Sequence, residues 1–123
     1  MLSIDTKTML IEMTRGDTVS IVFSAVDSDG NTYSPSTGDK LKFAVAKKVG
    51  ADPLFEIETE KTALNSDDDF WTIVIPTDKT NDMKFGDYAY DVQLTNSGGV
   101  DTIIGKTDTI SPTLRLWGEV ATE

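Results

Sequence analysis

The sequence predicts an all-β domain, an antiparallel β-sandwich of about 7–9 strands, on three observations. Apolar residues alternate with polar ones in stretch after stretch, the period of an extended chain with one packed face. Clusters of Gly, Asp, Asn, Ser and Pro separate these stretches at intervals of about 10 to 15 residues, which is strand-and-turn spacing. The run Phe70-Trp71-Thr72-Ile73-Val74-Ile75 is dense in the aromatic and β-branched side chains that suit a pleated, buried surface.

Taken in order, Thr8–Thr14 forms a first strand with Met9, Ile11 and Met13 on one face, and Arg15-Gly16-Asp17 turns the chain. Thr18–Val26 follows with Val19, Ile21, Phe23 and Ala25 inward. Asp27-Ser28-Asp29-Gly30-Asn31 is a turn, and Thr32–Gly38, with Pro35, is a loop. Lys40–Lys47 places Leu41, Phe43 and Val45 on one face; its Ala, Lys and Leu also suit a helix, but strict alternation over so short a stretch favours a strand. Asp52-Pro53 interrupts the chain, Leu54–Thr59 alternates weakly, and Phe70–Ile75 is a buried strand stopped at Pro76. The centre of the sheet is Phe85–Leu94, with Tyr88, Tyr90, Val92 and Leu94 sharing one side. A Gly98-Gly99 turn lets Val100–Ile104 return beside it, and Thr107–Ile110 continues that strand past a bulge at Gly105. The expected core spans residues 8–110 of a single domain covering 1–123, with 111–123 as a tail.

At 123 residues, such a domain buries about two thirds of its unfolded surface without disulfides or metal. Cysteine and histidine are both absent. That excludes thiolate nucleophiles, Ser-His-Asp triads and metal sites built on either residue, leaving acid–base chemistry to carboxylates, Lys or Tyr. The expectation is a protein that is not an enzyme and carries no cofactor. The formal charge of −10, from 21 acidic and 11 basic residues, repels nucleic acid and anionic membranes. No apolar run approaches the about 20 residues that cross a bilayer, and Met1-Leu2-Ser3-Ile4-Asp5 lacks the basic-then-apolar order of a signal peptide.

Four patterns invite functional readings. Asp27-Ser28-Asp29-Gly30 and Asp67-Asp68-Asp69 suggest calcium, yet Gly30 stands fourth from Asp27 where an EF-hand loop needs it sixth; solvated turns explain both runs. Arg15-Gly16-Asp17 spells an integrin-type tripeptide, and the same letters make a strand-to-strand turn. Tyr33, Trp71, Tyr88, Tyr90 and Trp117 are the residues a sugar platform would use, although all but Tyr33 lie in core-like segments. Leu114, Leu116 and Trp117 form an apolar patch beyond the last expected core strand. They either dock a partner or fold back to plug one end of the sandwich. Asp87-Tyr88-Ala89-Tyr90 has the makings of a tyrosine corner, in which a hydroxyl bonds back to the chain entering the strand, here over Asn81–Gly86.

Two segments together carry a family resemblance. The first runs from Arg15-Gly16-Asp17-Thr18 through Asp29-Gly30 to Leu41-Lys42-Phe43-Ala44-Val45. The second is Phe85-Gly86-Asp87-Tyr88-Ala89-Tyr90-Asp91-Val92-Gln93-Leu94 followed by Asp101-Thr102-Ile103-Ile104-Gly105. Their layout resembles the N-terminal immunoglobulin-like domain of phage baseplate upper proteins and small prophage tail proteins. The resemblance implies an immunoglobulin-like sandwich and a virion structural component, made in the bacterial cytoplasm. Its partners would be phage tail or baseplate proteins, and it leaves a homo-oligomer open. It supplies no catalytic residues. One departure is Lys106-Thr107-Asp108 where the family carries an aromatic residue, so either the register shifts at Gly105 or that strand is an exposed edge. The alternative from a different class is a carbohydrate-binding or cell-surface adhesion module.

Overall fold

The computed structural model describes residues 2–5, 8–24, 31, 33, 35–61, 70–105 and 110–118, with backbone alone at 101–103. These residues form a two-layer, all-β sandwich of nine strands and one short helix. The strands are β1 (Leu2–Asp5), β2 (Leu10–Thr14), β3 (Val19–Phe23), β4 (Lys40–Ala46), β5 (Pro53–Glu60), β6 (Trp71–Ile75), β7 (Gly86–Asn96), β8 (Gly99–Ile104) and β9 (Thr113–Trp117). A single helical turn, α1 (Thr77–Thr80), follows Pro76 in the turn-rich segment before β7.

One layer is a seven-stranded sheet in the order β1-β2-β9-β7-β4-β5, with β8 also on β7; the other is the antiparallel pair β3-β6. The expected alternation places the core. In β3 and β6, Val19, Ile21 and Phe23 oppose Ile75, Ile73 and Trp71, and all six side chains are buried. From the larger sheet Leu41, Phe43 and Val45 oppose Leu94, Val92 and Tyr90, again all buried. Phe43 joins the layers: its ring centroid lies 6.1 Å from Phe23 across the sandwich, 5.3 Å from Tyr90 and 6.4 Å from Phe55. These tilted, offset contacts are the arrangement that aromatic quadrupoles favour.

The central position expected for Phe85–Leu94 belongs to β7, which pairs with β4, β8 and β9. The hairpin from β7 into β8 turns at Ser97-Gly98, where Asn96 Oδ1 accepts the Gly98 amide at 2.8 Å.

Several expectations need correction. The core does not end at 110: Thr113–Trp117 is a strand inserted between β2 and β7. It runs parallel to β2, in an otherwise antiparallel arrangement of pairs. Leu2–Asp5, which alternation in a four-residue run could not distinguish from a polar terminus, adds an exposed edge strand to β2. A register irregularity in β8 lies beside Val92 and Gln93, where Ile103 is the extra residue. The bulge expected at Gly105 depends on residues 106–109, which lie outside the described residues. Ile110 lies outside any strand. Ala25, Val26, the acidic runs at 27–30 and 67–69, and residues 106–109 fall outside the described residues.

Candidate functional site

The last strand decides what the Leu114-Leu116-Trp117 patch can do. Strand alternation turns Leu114 and Leu116 inward, where both are fully buried, and leaves Trp117 47% exposed. The two leucines therefore belong to the core, and Trp117 is the residue of the three that meets solvent.

The outer face of β9 presents Arg115 and Trp117 between neighbouring strands. Register sets Glu12 of β2 and Asp87 of β7 on either side of Arg115. Arg115 grips Asp87 through two hydrogen bonds, Nε to Oδ1 at 2.7 Å and Nη2 to Oδ2 at 3.1 Å. Those bonds hold the Asp87 carboxyl below the ordinary carboxylate range, outweighing a smaller upward push from desolvation. The Trp117 indole Nε1 donates to Glu12 Oε2 at 2.8 Å, which fixes the ring's position on the surface.

Beside Trp117 the chain meets the Arg15-Gly16-Asp17 turn. The Trp117 carbonyl accepts the Arg15 amide at 2.9 Å, and the Asp17 amide closes the turn on the Thr14 carbonyl at 3.1 Å. Gly16 has φ 86°, a left-handed conformation that side chains resist, and its amide donates to the buried Thr80 Oγ1 at 2.9 Å. Arg15 lays its guanidinium over the Phe85 ring, 4.4 Å from the centroid, and donates from Nη1 to the Met83 carbonyl at 3.3 Å. The tripeptide thus serves as the β2–β3 turn, with its arginine committed to a cation–π stack.

Phe85 is 58% exposed and lies against Gly118, where an added Cβ would come within 2.7 Å of the ring. A side chain at 118 would push the exposed ring aside. Next to it, the Tyr88 hydroxyl donates to the Lys84 carbonyl at 2.7 Å, four residues back, as the tyrosine corner requires. Phe85 and Trp117 are consequently two exposed aromatic residues held at one end of the sandwich, each fastened by specific bonds or stacking. Sequence reasoning missed Phe85, Arg15 and Glu12 as parts of this surface. A usable signal was present: Phe85 is a large apolar residue just after a polar turn, outside the alternation of β7.

The other candidate groups lie elsewhere. Of the sugar-platform residues, Trp71 and Tyr90 are buried and offer no surface to a ligand. Tyr33 is half-buried and donates to the buried Asp39 carboxylate, which also accepts the Ser36 amide at 3.0 Å; Asp39 serves to hold the loop before β4. Among the described residues there is no cluster of three or more side chains suited to a metal ion. Comparison with known proteins finds no matching family model, no similar curated protein and no similar solved structure.

Proposed function

We propose that this chain is a non-enzymatic assembly module, an immunoglobulin-like sandwich that docks tail or receptor-binding proteins of a phage or prophage. The observation that carries the docking reading is the pair of exposed, fastened aromatics, Trp117 bonded to Glu12 and Phe85 stacked under the Arg15 guanidinium. Trp, Arg and aromatic side chains dominate the energetic centres of protein interfaces because they bury much area while losing little conformational freedom. Here part of that freedom is already spent, since Glu12 bonds the Trp117 indole and Arg15 stacks on the Phe85 ring. The assignment to a tail assembly rests on the layout shared with baseplate upper proteins.

Co-purification with the products of neighbouring genes tests the reading. Trp117→Ala and Phe85→Ala are expected to release a tail or baseplate partner while keeping the melting temperature within a few degrees of the parent. Lost stability with an intact complex would overturn the docking role. A gene neighbourhood lacking tail, baseplate and lysis genes would remove the phage assignment. A glycan array addresses the carbohydrate-binding alternative, for which Trp117 and Phe85 are the surface to mutate.

A further inference from the structure

On the outer face of the large sheet, β4, β5 and β7 form a trough. Its floor is Ala44, Ala46 and Ala89, and Asp91 stands in one wall; the cavity measures about 440 Å³. That volume falls within the range of about 300–1,000 Å³ typical of ligand sites. The floor is low because register sets Ala44 beside Asp91 and Ala46 beside Ala89, so small side chains coincide on adjacent strands. The loop from Lys48 to Ala51 and Pro53 forms the opposite rim.

Asp91 is the unusual member. Its Oδ1 is buried and has no hydrogen-bond partner among the described residues. A buried oxygen left in that condition costs about 1–3 kcal/mol, more when charged. The nearby charges only partly offset that burial: Lys42 attracts the Asp91 carboxylate, Glu56 repels it less strongly, and Lys42 is also paired with Glu56 at 3.3 Å. Another depression, about 660 Å³ near the β7–β8 turn, differs in this respect: its Tyr33, Asp39 and Asn96 bond to one another.

We propose that the trough receives a lysine side chain from a partner polypeptide, its ammonium on Asp91 and its aliphatic stem over Ala44, Ala46 and Ala89. Four observations select this occupant. A single carboxylate with one buried oxygen suits the compact ammonium better than a guanidinium, whose fork needs both oxygens. The alanine floor matches the apolar stem of a long basic side chain. Val49 on the rim is 56% exposed, apolar surface that a polypeptide covers and a free amine does not. The chain's charge of −10 attracts a basic partner. The inference rests on the docking reading only for the source of the lysine.

The test is an amide-resolved NMR titration with acetyl-Gly-Lys-Gly-amide and with the same peptide acetylated at the lysine Nζ. Binding of the first peptide should move the amides of Ala44, Ala46, Ala89 and Gly105, and the acetylated peptide should not. Asp91→Asn and Ala46→Leu should each weaken binding about tenfold, which corresponds to roughly 1.4 kcal/mol. Asp78→Asn, which removes an exposed charge elsewhere, should leave it unchanged. Equal binding of the acetylated peptide would overturn the proposal, as would equal losses in Asp78→Asn and Asp91→Asn, or shifts confined to other surfaces. The two variants fail by different routes, one losing the acceptor and one filling the floor, so a folding defect in either leaves the other decisive. Peptide binding in the trough with a partner complex insensitive to Trp117→Ala would reject the aromatic face while sustaining this site.

Discussion

The two sides of β7 are built differently. Toward β4 its ladder runs unbroken from Ala89 to Thr95. On the other side the strand is shared, β9 taking Gly86–Ala89 and β8 taking Val92–Asn96. Tyr90 and Asp91 fall in the gap between them. On the continuous side, backbone groups and core side chains satisfy one another pair by pair. At the gap each group needs its own solution. The Tyr90 amide reaches the Pro112 carbonyl at 3.3 Å, and the Tyr90 hydroxyl donates to the Met9 carbonyl at 2.9 Å. Met9 takes φ 57°, an uncommon conformation for a side-chain-bearing residue, and its carbonyl also accepts the Thr113 amide at 3.1 Å. Asp91 finds no such solution for Oδ1 among the described residues. Continuous pairing supplies stability, whereas the interruption creates polar groups with capacity to spare.

The largest effect is expected where the continuous side is broken. Phe43→Ala removes the ring that links both layers and should cost about 3–5 kcal/mol in a urea melt. A loss below about 1 kcal/mol would mean that Phe43 is not the joint of the sandwich.

At the gap, Tyr90→Phe should cost about 1 kcal/mol at neutral pH through the lost hydroxyl bond. Burial pushes the Tyr90 phenol from 10.0 up to about 12. Between those values the folded protein holds a proton that the unfolded chain has released, so this contribution to stability falls as pH rises from 10.0 to about 12. The Phe variant should lack that part of the alkaline decline. Identical alkaline slopes for the two proteins would place the hydroxyl in contact with water.

Asp91 should show the same sign at acid pH. Burial raises its carboxyl above the ordinary 3.8, so the folded state binds its proton more tightly than the unfolded chain. Stability from this group falls as pH rises from 3.8 through the raised folded value, and Asp91→Asn should flatten that segment relative to the parent. Asp87 is the smallest case and has the opposite sign. Arg115 lowers its folded value, so its contribution is present above 3.8 and is lost as pH falls through the depressed value. Because the pair is exposed to solvent, Asp87→Asn should barely move the melting midpoint at neutral pH. A loss comparable to Tyr90→Phe would show that the outer face of β9 is structurally coupled to the core.

Particular strands show how far the pattern could be read. Leu41, Phe43 and Val45, or Val19, Ile21 and Phe23, declare their buried face locally, because two-residue periodicity is a property of the strand itself. Thr113–Trp117 carries the same alternation, but it is five residues long and follows Pro112, so it passed for a tail. Its partner β2 lies about 100 residues earlier, and nothing in a local run announces a parallel neighbour so far away. Of the proposed docking surface, only Trp117 was legible. Phe85 and Arg15 became part of it through contacts between turns widely separated along the chain. The trough was not legible at all, since Ala44, Ala46 and Ala89 are unremarkable until β4 and β7 set them side by side.

By itself, then, the sequence determined the all-β class, the inward face of most strands, the central place of β7 and its return through β8. These follow from side-chain alternation and turn chemistry, which act over a few residues. Tertiary structure alone decided that β9 enters the sheet beside β2, that Leu114 and Leu116 are core while Trp117 is surface, and that Asp91 stands at a break in the ladder. Those outcomes depend on which distant strands pair and in what register, and hydrogen bonds between remote segments set both.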